Sequence, residues 1–153
     1  MPEILTENEG RYLKVIYRRQ VEEQKKVRTS EMAKIFEVQP ATVTETLQKL
    51  AEKNILQYAP YQGVQLTRQG LSEAKSLLRR HRLLETLLVS HLGFGVQDAC
   101  REAGRLDHRT SKDLVDNICR TYGHPKLCPC NKPIFLDKRC SEAETKTEGR
   151  PNG

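Results

Sequence analysis

The sequence has few aromatic residues and no long apolar run. None of its 153 residues is Trp and three are Phe, so a core must be built mainly from Leu, Ile, Val and Ala, which favours helices over a β-sandwich. No stretch approaches the roughly 20 apolar residues that cross a bilayer. The acidic N-terminus MPEILTENEG lacks the basic start and apolar stretch of a signal peptide. We therefore predict a mainly α-helical, cytoplasmic protein that makes no contact with a membrane.

Disulfides and common catalytic motifs are also not expected. The number of cysteines is odd, and in the cytoplasm they are thiols or metal ligands rather than structural disulfides; they are Cys100, Cys119, Cys128, Cys130 and Cys140. We find no nucleophile–base pair, phosphate-binding loop or HExxH pattern. The sequence therefore predicts a binding protein rather than an enzyme.

The net charge of +6 permits a polyanionic partner but is unevenly distributed. The first 66 residues carry 10 Lys and Arg against 9 Asp and Glu, so this part is not broadly basic. Any basic surface for nucleic acid must be local, and we expect it to come from Arg28, Lys49, Lys53 and Arg68.

A winged helix-turn-helix is predicted between Val27 and Leu66. Ser30–Phe36 has the composition of a short helix with Met32, Ala33, Ile35 and Phe36 inward, and Glu37-Val38-Gln39 forms a turn. Pro40 suits the first turn of the next helix, whose buried stripe is Val43, Leu47 and Leu50. Two alternating segments, Ile55–Tyr58 and Val64–Leu66, flank the turn PYQG and form the wing. In this motif the second helix enters a DNA major groove.

Small polar side chains occupy the start of that second helix, where bulk would block entry into the groove. They can hydrogen-bond to base edges or phosphates, and Ala or a Thr methyl group can contact thymine. The predicted DNA-binding residues are Arg28, Gln39, Ala41, Thr42, Thr44, Glu45, Lys49 and Tyr61. The alternative is a winged helix that contacts protein or RNA, because the fold alone does not fix the function.

Helices follow the wing. Thr67 can cap a long helix that runs to about Leu92 and ends at Gly93, and two further helices are predicted at Val96–His108 and Ser111–Tyr122. We predict three regions: a DNA-binding domain at 1–70, a helical dimerisation and metal-binding domain at 71–136, and a disordered polar tail at 137–153.

Potential metal ligands recur on two of these helices. His81 and Glu85 are four residues apart and therefore share a helix face. Cys100, Asp107 and His108 share a face of the following helix with Gly104. If these helices pack together, nitrogen, oxygen and sulfur donors converge. Such a set suits Fe(II), Co(II), Ni(II) or Zn(II), and a site richer in oxygen suits Mn(II). Alternatively, each residue is an ordinary surface group.

A second cysteine site is predicted around the CPC sequence. Cys128 and Cys130 flank Pro129, and Cys119 and His124 precede them. With Cys100 or Cys119 nearby, these thiols could hold zinc or an iron–sulfur cluster; the alternative is a reduced pair in a surface loop. Cys140 lies in the polar tail, and we predict no specific role for it.

Residues 7–135 together resemble the diphtheria-toxin-repressor and manganese-transport-regulator family of metal-dependent repressors. The resemblance rests on YLKVIY, VQPATVTETLQKLAEKNIL, YAPYQGVQLTRQG, RRHRLLETLLV, EAGRLDH and HPKLCP. It implies a homodimer in the two-domain form of the family that binds its operator more tightly when metal is bound.

The resemblance also implies ligand positions. His81, Glu85, Asp107 and His108 match family metal ligands, and Cys100 matches an ancillary-site ligand. Two positions depart from the pattern: Arg11 replaces a ligand of the first helix, and Gly104 replaces a Cys or Glu. We therefore predict a degraded primary site, with sensing by a remodelled site of His81, Glu85 and Cys100 or by the cysteines.

The predicted function is a metal-responsive repressor, with iron as the first metal to test and Mn²⁺, Zn²⁺, Co²⁺ or Ni²⁺ as others, acting on a palindromic double-stranded operator. One alternative is a DNA-binding regulator that senses redox state or an iron–sulfur cluster through its cysteines. The other is an interaction module that does not bind DNA.

Overall fold

The first helix begins at a capping box, which the pattern Thr6-Glu7-Asn8-Glu9 predicts because a Thr N-cap is followed three residues later by Glu. In the computed structural model, which describes residues 5–140, the Thr6 hydroxyl accepts a hydrogen bond from the Glu9 amide (3.2 Å) and the Glu9 carboxylate accepts one from the Thr6 amide (2.9 Å). Helix α1 spans Glu7–Tyr17 and continues as a π-helical turn at Arg18–Glu22.

Two helices and a tight turn follow. Helix α2 spans Thr29–Phe36, helix α3 spans Pro40–Glu52, and Glu37 in the turn adopts a left-handed conformation (φ 54°). The predicted stripe of α3 is confirmed, because Val43, Leu47 and Leu50 are fully buried.

The inward position predicted for Ile35 is wrong, since this side chain is 45% exposed. Met32, Ala33 and Phe36 form the inward stripe of α2, and Ile35 lies roughly 100° from its centre on a helix of 3.6 residues per turn. Phe36 stacks on Tyr12 of α1 with ring centroids 4.1 Å apart.

The predicted wing is a two-stranded antiparallel sheet. Strand β1 (Leu56–Ala59) pairs with β2 (Gly63–Leu66), and Leu56 lies opposite Leu66. In the connecting turn Tyr61 has a positive φ of 67°.

Helix α4 spans Arg68–Ser90, and Thr67 caps it as predicted, because the Thr67 hydroxyl accepts a hydrogen bond from the Gly70 amide (2.9 Å). A Cβ atom on Gly70 would lie 1.9 Å from the Ile55 carbonyl oxygen. Glycine is thus required where the helix meets the chain that enters the wing. The chain forms two compact units, Met1–Lys75 and Ser76–Gly153, which are described separately below.

In the second unit the C-terminal part of α4 packs with α5 (Val96–Leu106) and α6 (Lys112–Thr121). The apolar core of this unit includes Leu83, Leu84, Leu88, Ala99, Ala103, Val115 and Ile118. The segment 126–135 has no regular element beyond one bridge between Leu127 and Pro133. The mainly α-helical fold class with an N-terminal winged helix-turn-helix is confirmed.

The predicted tail starts too early. Cys140 is 1% exposed and belongs to the core of the second unit, because the chain folds back onto α6 instead of leaving the surface at residue 137. The predicted disorder of residues 141–153 falls outside the described residues. Between residues 5 and 140, no helix is both long and apolar enough to span a membrane.

Candidate nucleic-acid interface and metal centre

The start of α3 presents most of the predicted DNA-binding residues to solvent. Gln39, Ala41, Thr42 and Glu45 are exposed and Thr44 is half-buried. This exposure follows from the sequence, because the buried stripe of α3 fixes which side of the helix faces outward. The helix start therefore offers small hydrogen-bonding groups on an accessible face.

Glu45 and Lys49 form an ion pair on the same helix, with 2.9 Å between carboxylate oxygen and Nζ. Hydrogen bonding to Lys49 and its positive charge lower the pKa of Glu45, and the same contact raises the pKa of Lys49. The negative charge of Glu45 is thus offset locally, and this reduces the repulsion that it would exert on a phosphate.

A cavity of about 710 Å³ lies beside the wing within the first unit. Arg28, which precedes α2, lines it together with Lys25, Lys26 and the fully exposed Tyr61. The sequence predicts Arg28 and Tyr61 as DNA-binding residues, and the two lysines are an addition from the structure. Their signal was the run KKVR, whose three basic residues lie within four positions of the helix-turn-helix.

A group of three metal-ligand types is formed by α4 and α5. His81 Nε2 lies 2.6 Å from a Glu85 carboxylate oxygen and 3.5 Å from Cys100 Sγ, and the three donor atoms all lie within 4.8 Å of one another. His81 and Glu85 are 3% and 2% exposed, while Cys100 is half-buried. The predicted convergence of imidazole, carboxylate and thiol on one point is therefore present.

Asp107 and His108 do not join this group, contrary to the five-residue metal site predicted from the sequence. Asp107 instead contacts the other ring nitrogen of His81, with 2.9 Å between its carboxylate oxygen and Nδ1. That contact fixes the orientation of the imidazole and directs Nε2 toward Glu85 and Cys100. His108, one residue further along, accepts a hydrogen bond from its neighbour Arg109 (3.3 Å).

Gly104 faces the same imidazole. A Cβ atom there would lie 4.0 Å from His81 Cε1, an ordinary van der Waals distance. The position that carries a ligand in the resembled family is thus directed toward His81 but supplies no donor atom.

The CPC segment approaches the group through Glu85. The Cys130 thiol donates a hydrogen bond to Glu85 (3.4 Å), and Cys128, Cys130 and Glu85 form a second group of donors within 4.8 Å. Cys130 is an exposed residue, but desolvation of its thiol and the adjacent Glu85 charge raise the pKa of Cys130 to about 12. Glu85 therefore belongs to both groups, which together offer one imidazole, one carboxylate and three thiols.

Cys119 is separate from the CPC cysteines, so the predicted site of Cys119, Cys128 and Cys130 is wrong as a single cluster. Cys119 instead groups with His124 and Cys140. Burial and the Cys140 thiol raise the pKa of Cys119, while Arg79 acts in the opposite direction. Sequence analysis missed Cys140 because its polar neighbours resemble a tail.

The donor set fits a divalent transition metal. Glu85 and Asp107 are each 2% exposed and both contact the His81 imidazole, and a divalent cation bound here would add a charge opposite to those of the two carboxylates. Nitrogen, oxygen and sulfur donors at one point suit iron, cobalt, nickel and zinc. Within residues 5–140 the five cysteines are divided among three groups of donors, and none of these groups contains more than two cysteines. Because a cluster is usually held by four cysteines, this distribution does not support an iron–sulfur cluster.

Comparison with known protein families covers both units. The model described as "Iron dependent repressor, N-terminal DNA binding domain" matches residues 4–64, and "Iron dependent repressor, metal binding and dimerisation domain" matches residues 67–136. Both predicted activities, DNA binding and metal binding, appear in these descriptions in the predicted order.

Individual proteins that are similar to this chain are also transcriptional regulators. An uncharacterized HTH-type transcriptional regulator of Methanocaldococcus jannaschii is 34% identical over 107 residues, which are 70% of this chain and 86% of the relative. Iron-dependent repressor IdeR of Mycobacterium leprae is 29% identical, and the match covers 80% of this chain but about half (53%) of that protein. A solved manganese-dependent transcriptional repressor in complex with manganese has 37% identity and a TM-score of 0.77, over 84% of this chain and 58% of that one. The resemblance is thereby confirmed, and the chain belongs to the iron-dependent repressor family of metal-dependent transcriptional regulators.

Proposed function

We propose that the protein is a cytoplasmic, Fe(II)-responsive repressor that binds a palindromic DNA operator as a homodimer. The observation that carries the sensing half is the buried convergence of His81 Nε2, Glu85 and Cys100 on one point. The DNA-binding half is supported by the exposed polar start of α3. Family membership supports their combination in one molecule.

His81, Glu85 and Cys100 are the proposed primary ligands, and Cys130 is the proposed fourth. Cys130 already contacts Glu85, and Cys128 lies in the same donor group. Asp107 is a positioning residue that holds the His81 ring through Nδ1. Bound metal would supply the positive charge that links α4, α5 and the CPC segment.

The proposed preference for Fe(II) over Mn(II) follows from the donor atoms. Manganese favours carboxylate, carbonyl and water oxygens, whereas sulfur donors favour softer metals. Here the two groups contain three thiols and one carboxylate. The chain is similar both to a relative named for iron and to one named for manganese. The proposed preference for Fe(II) therefore rests on the donor atoms and not on these relatives.

On DNA, α3 would occupy the major groove. Gln39, Ala41, Thr42 and Thr44 would face base edges, where small polar side chains and methyl groups discriminate sequence. Arg28, Lys49 and Tyr61 would contact the backbone, with Lys25 and Lys26 beside them, and phosphate contacts fix position rather than sequence. Glu45, paired with Lys49, would accept a hydrogen bond from a cytosine amino group.

A homodimer presents two such helices to adjacent major grooves. Half-sites read by paired helix-turn-helix units lie about 34–36 Å apart, one turn of DNA. We propose that metal binding in the helical domain favours this spacing and thereby raises operator affinity.

Operator binding with and without metal tests the proposal. A duplex is first selected from a random-sequence library with anaerobic, reduced protein and Fe(II). Its affinity is then measured with no metal and with Fe(II), Mn(II) or Zn(II) at constant salt, because affinity for DNA depends strongly on salt. We expect Fe(II) to tighten binding at least tenfold. Equal operator affinity in all four conditions would contradict the proposed metal response.

A matched pair of substitutions tests the DNA face. Thr42→Asp places a negative charge in the first turn of α3, where it suits the helix dipole but repels phosphate. Gln97→Asp makes the same charge change in the first turn of α5, at another exposed position. We expect only Thr42→Asp to weaken operator binding, by about tenfold or more, with metal binding retained in both; equal effects would place the DNA face elsewhere.

A further inference from the structure

A second group of metal-binding side chains lies outside the proposed sensor site. It consists of Cys119 at the end of α6, His124 just after that helix, and Cys140 close to the end of the described chain. Cys119 and Cys140 are 3% and 1% exposed, and His124 is half-buried. Cys140 is four residues beyond the last position matched by the family model, so family membership does not account for this group.

Two turns bring the three side chains together. Gly123 adopts a positive φ of 67°, and the His124 amide donates a hydrogen bond to the Cys119 carbonyl (2.8 Å), so the imidazole folds back over the helix end. The chain then returns at Asp137, whose carbonyl accepts a hydrogen bond from the Cys140 amide (3.1 Å). The Cys140 thiol also lies 3.8 Å from the Asp116 carbonyl oxygen. Backbone contacts on both sides thus hold the group.

The donor distances agree with tetrahedral coordination. His124 Nδ1 lies 3.3 Å from Cys119 Sγ and 3.8 Å from Cys140 Sγ, and all three donors lie within 4.8 Å of one another. With zinc–sulfur bonds near 2.3 Å and zinc–nitrogen bonds near 2.05 Å, a tetrahedron separates sulfur and nitrogen by about 3.6 Å. The two observed distances lie on either side of that value.

Charge also favours an ion here. Two thiolates and a neutral imidazole around a divalent cation form an uncharged unit, which suits a site lined by buried side chains. Among the neighbouring charged groups, Arg79 contacts Asp116 (2.9 Å) and also acts on the Cys119 thiol, whose pKa it lowers, so it favours the thiolate that a metal needs. Lys112 contacts Asp116 (2.5 Å) and Asp137 (3.4 Å).

We propose that Cys119, His124 and Cys140 bind a zinc-class divalent metal ion that fastens the segment around Cys140 to α6. Three protein donors leave the fourth position of the tetrahedron to water. This site shares no residue with the proposed sensor group, so each can fail without the other.

Cobalt binding by the full chain tests the proposal, because Co(II) occupies zinc sites and gives thiolate-to-metal charge-transfer absorption when it binds sulfur. The protein carries Cys100→Ser, Cys128→Ala and Cys130→Ser, so its only thiols are Cys119 and Cys140. We expect one equivalent of Co(II) bound with this absorption, and at least a 100-fold loss of affinity when Cys140→Ser is added. No thiolate absorption, or a chain two hydrogens lighter through a Cys119–Cys140 disulfide in reduced preparations, would overturn the proposal.

The triple variant could fail to fold because it replaces the buried Cys128. A single substitution in the otherwise unchanged protein therefore provides a second test. Cys140→Ser in the otherwise unchanged protein should lower the number of cobalt ions per chain from two to one and leave the metal response of operator binding intact. An unchanged stoichiometry would overturn the proposed site, whereas loss of the operator response alone would count against the independence of the two sites.

Discussion

The two units place their polar side chains in opposite environments. In the first unit, the side chains proposed for DNA contact, such as Thr42, Glu45 and Tyr61, are exposed on α3 and the wing. In the second unit, His81, Glu85 and Asp107 are at most 3% exposed. A DNA duplex is too large to enter a protein domain and must bind to the domain's surface, whereas a metal ion can be enclosed by buried side chains. The environment of each set therefore matches the size of its proposed ligand.

The same difference separates the consequences of substitution. Exposed polar groups contribute little to folding, so changing them should alter binding and leave stability within about 0.5 kcal/mol. Buried polar groups are also part of the packing, and their replacement alters stability and metal affinity together.

The largest effect is expected from a glycine in the first unit. Gly70→Ala would place a Cβ atom 1.9 Å from the Ile55 carbonyl, so the start of α4 and the chain that enters the wing would have to separate. We expect a loss of about 3 kcal/mol in the free energy of unfolding, the upper range for overpacking. Urea denaturation at constant metal concentration measures it.

The matched control is Gly104→Ala in the second unit. Its Cβ atom would contact His81 at an ordinary 4.0 Å, and alanine favours a helix over glycine by up to about 1 kcal/mol. We therefore expect a small gain in stability. Equal losses in both variants would mean that the proposed metal site is packed as tightly as the junction before the wing, and the contrast between the units would not hold.

The next effect concerns metal affinity. Asp107→Asn keeps the shape of the side chain but removes the charge that orients His81 through Nδ1, and loss of such a supporting contact costs about 10–100-fold in metal affinity. Anaerobic titration with Fe(II) or Co(II) measures the change. His108→Ala is the control, and we expect less than a threefold effect. A larger loss for His108→Ala than for Asp107→Asn would return His108 to the ligand set.

Sequence analysis anticipated most local features and fewer of the long-range ones. The capping box at Thr6, the start of α3 at Pro40 and its buried stripe each depend on neighbours within four residues, so the pattern is visible in the chain. His81, Glu85 and Cys100 also converge as predicted, because helix periodicity placed each on a face.

The features that were missed depend on the path of irregular chain. Helix periodicity placed Asp107 beside His81 but could not show that it contacts Nδ1 instead of the nitrogen that faces Glu85 and Cys100. Cys140 follows a polar segment and precedes another, yet a turn at Asp137 returns it to the core. Local composition does not encode such a return, which is why Cys119 was assigned to the wrong cysteines.

The smallest effect is expected from a buried carboxylate in the first unit, which is an exception to the rule that the polar groups of this unit are exposed. Glu9 is 5% exposed and contacts Lys53 Nζ at 2.8 Å. Burial alone would raise its pKa, but the Lys53 and Thr6 contacts together exceed that effect and lower it below the ordinary 4.5. The folded state therefore favours the charged carboxylate, and this contribution is present above the unfolded-state pKa and disappears as the pH falls through the folded-state value.

Glu9→Gln should accordingly cost about 1–2 kcal/mol of unfolding free energy at pH 7. The difference from the unsubstituted protein should shrink as the pH falls from the ordinary value of 4.5 through the lower folded-state pKa. Urea midpoints across pH measure it, with Glu52→Gln as a charge-matched control at an exposed position of the same unit. Metal affinity should not change, because the Glu9 carboxylate caps the start of α1 and pairs with Lys53, and both contacts lie in the first unit. A pH-independent loss would assign the effect to packing, and a changed metal affinity would show that buried charges in the two units are coupled.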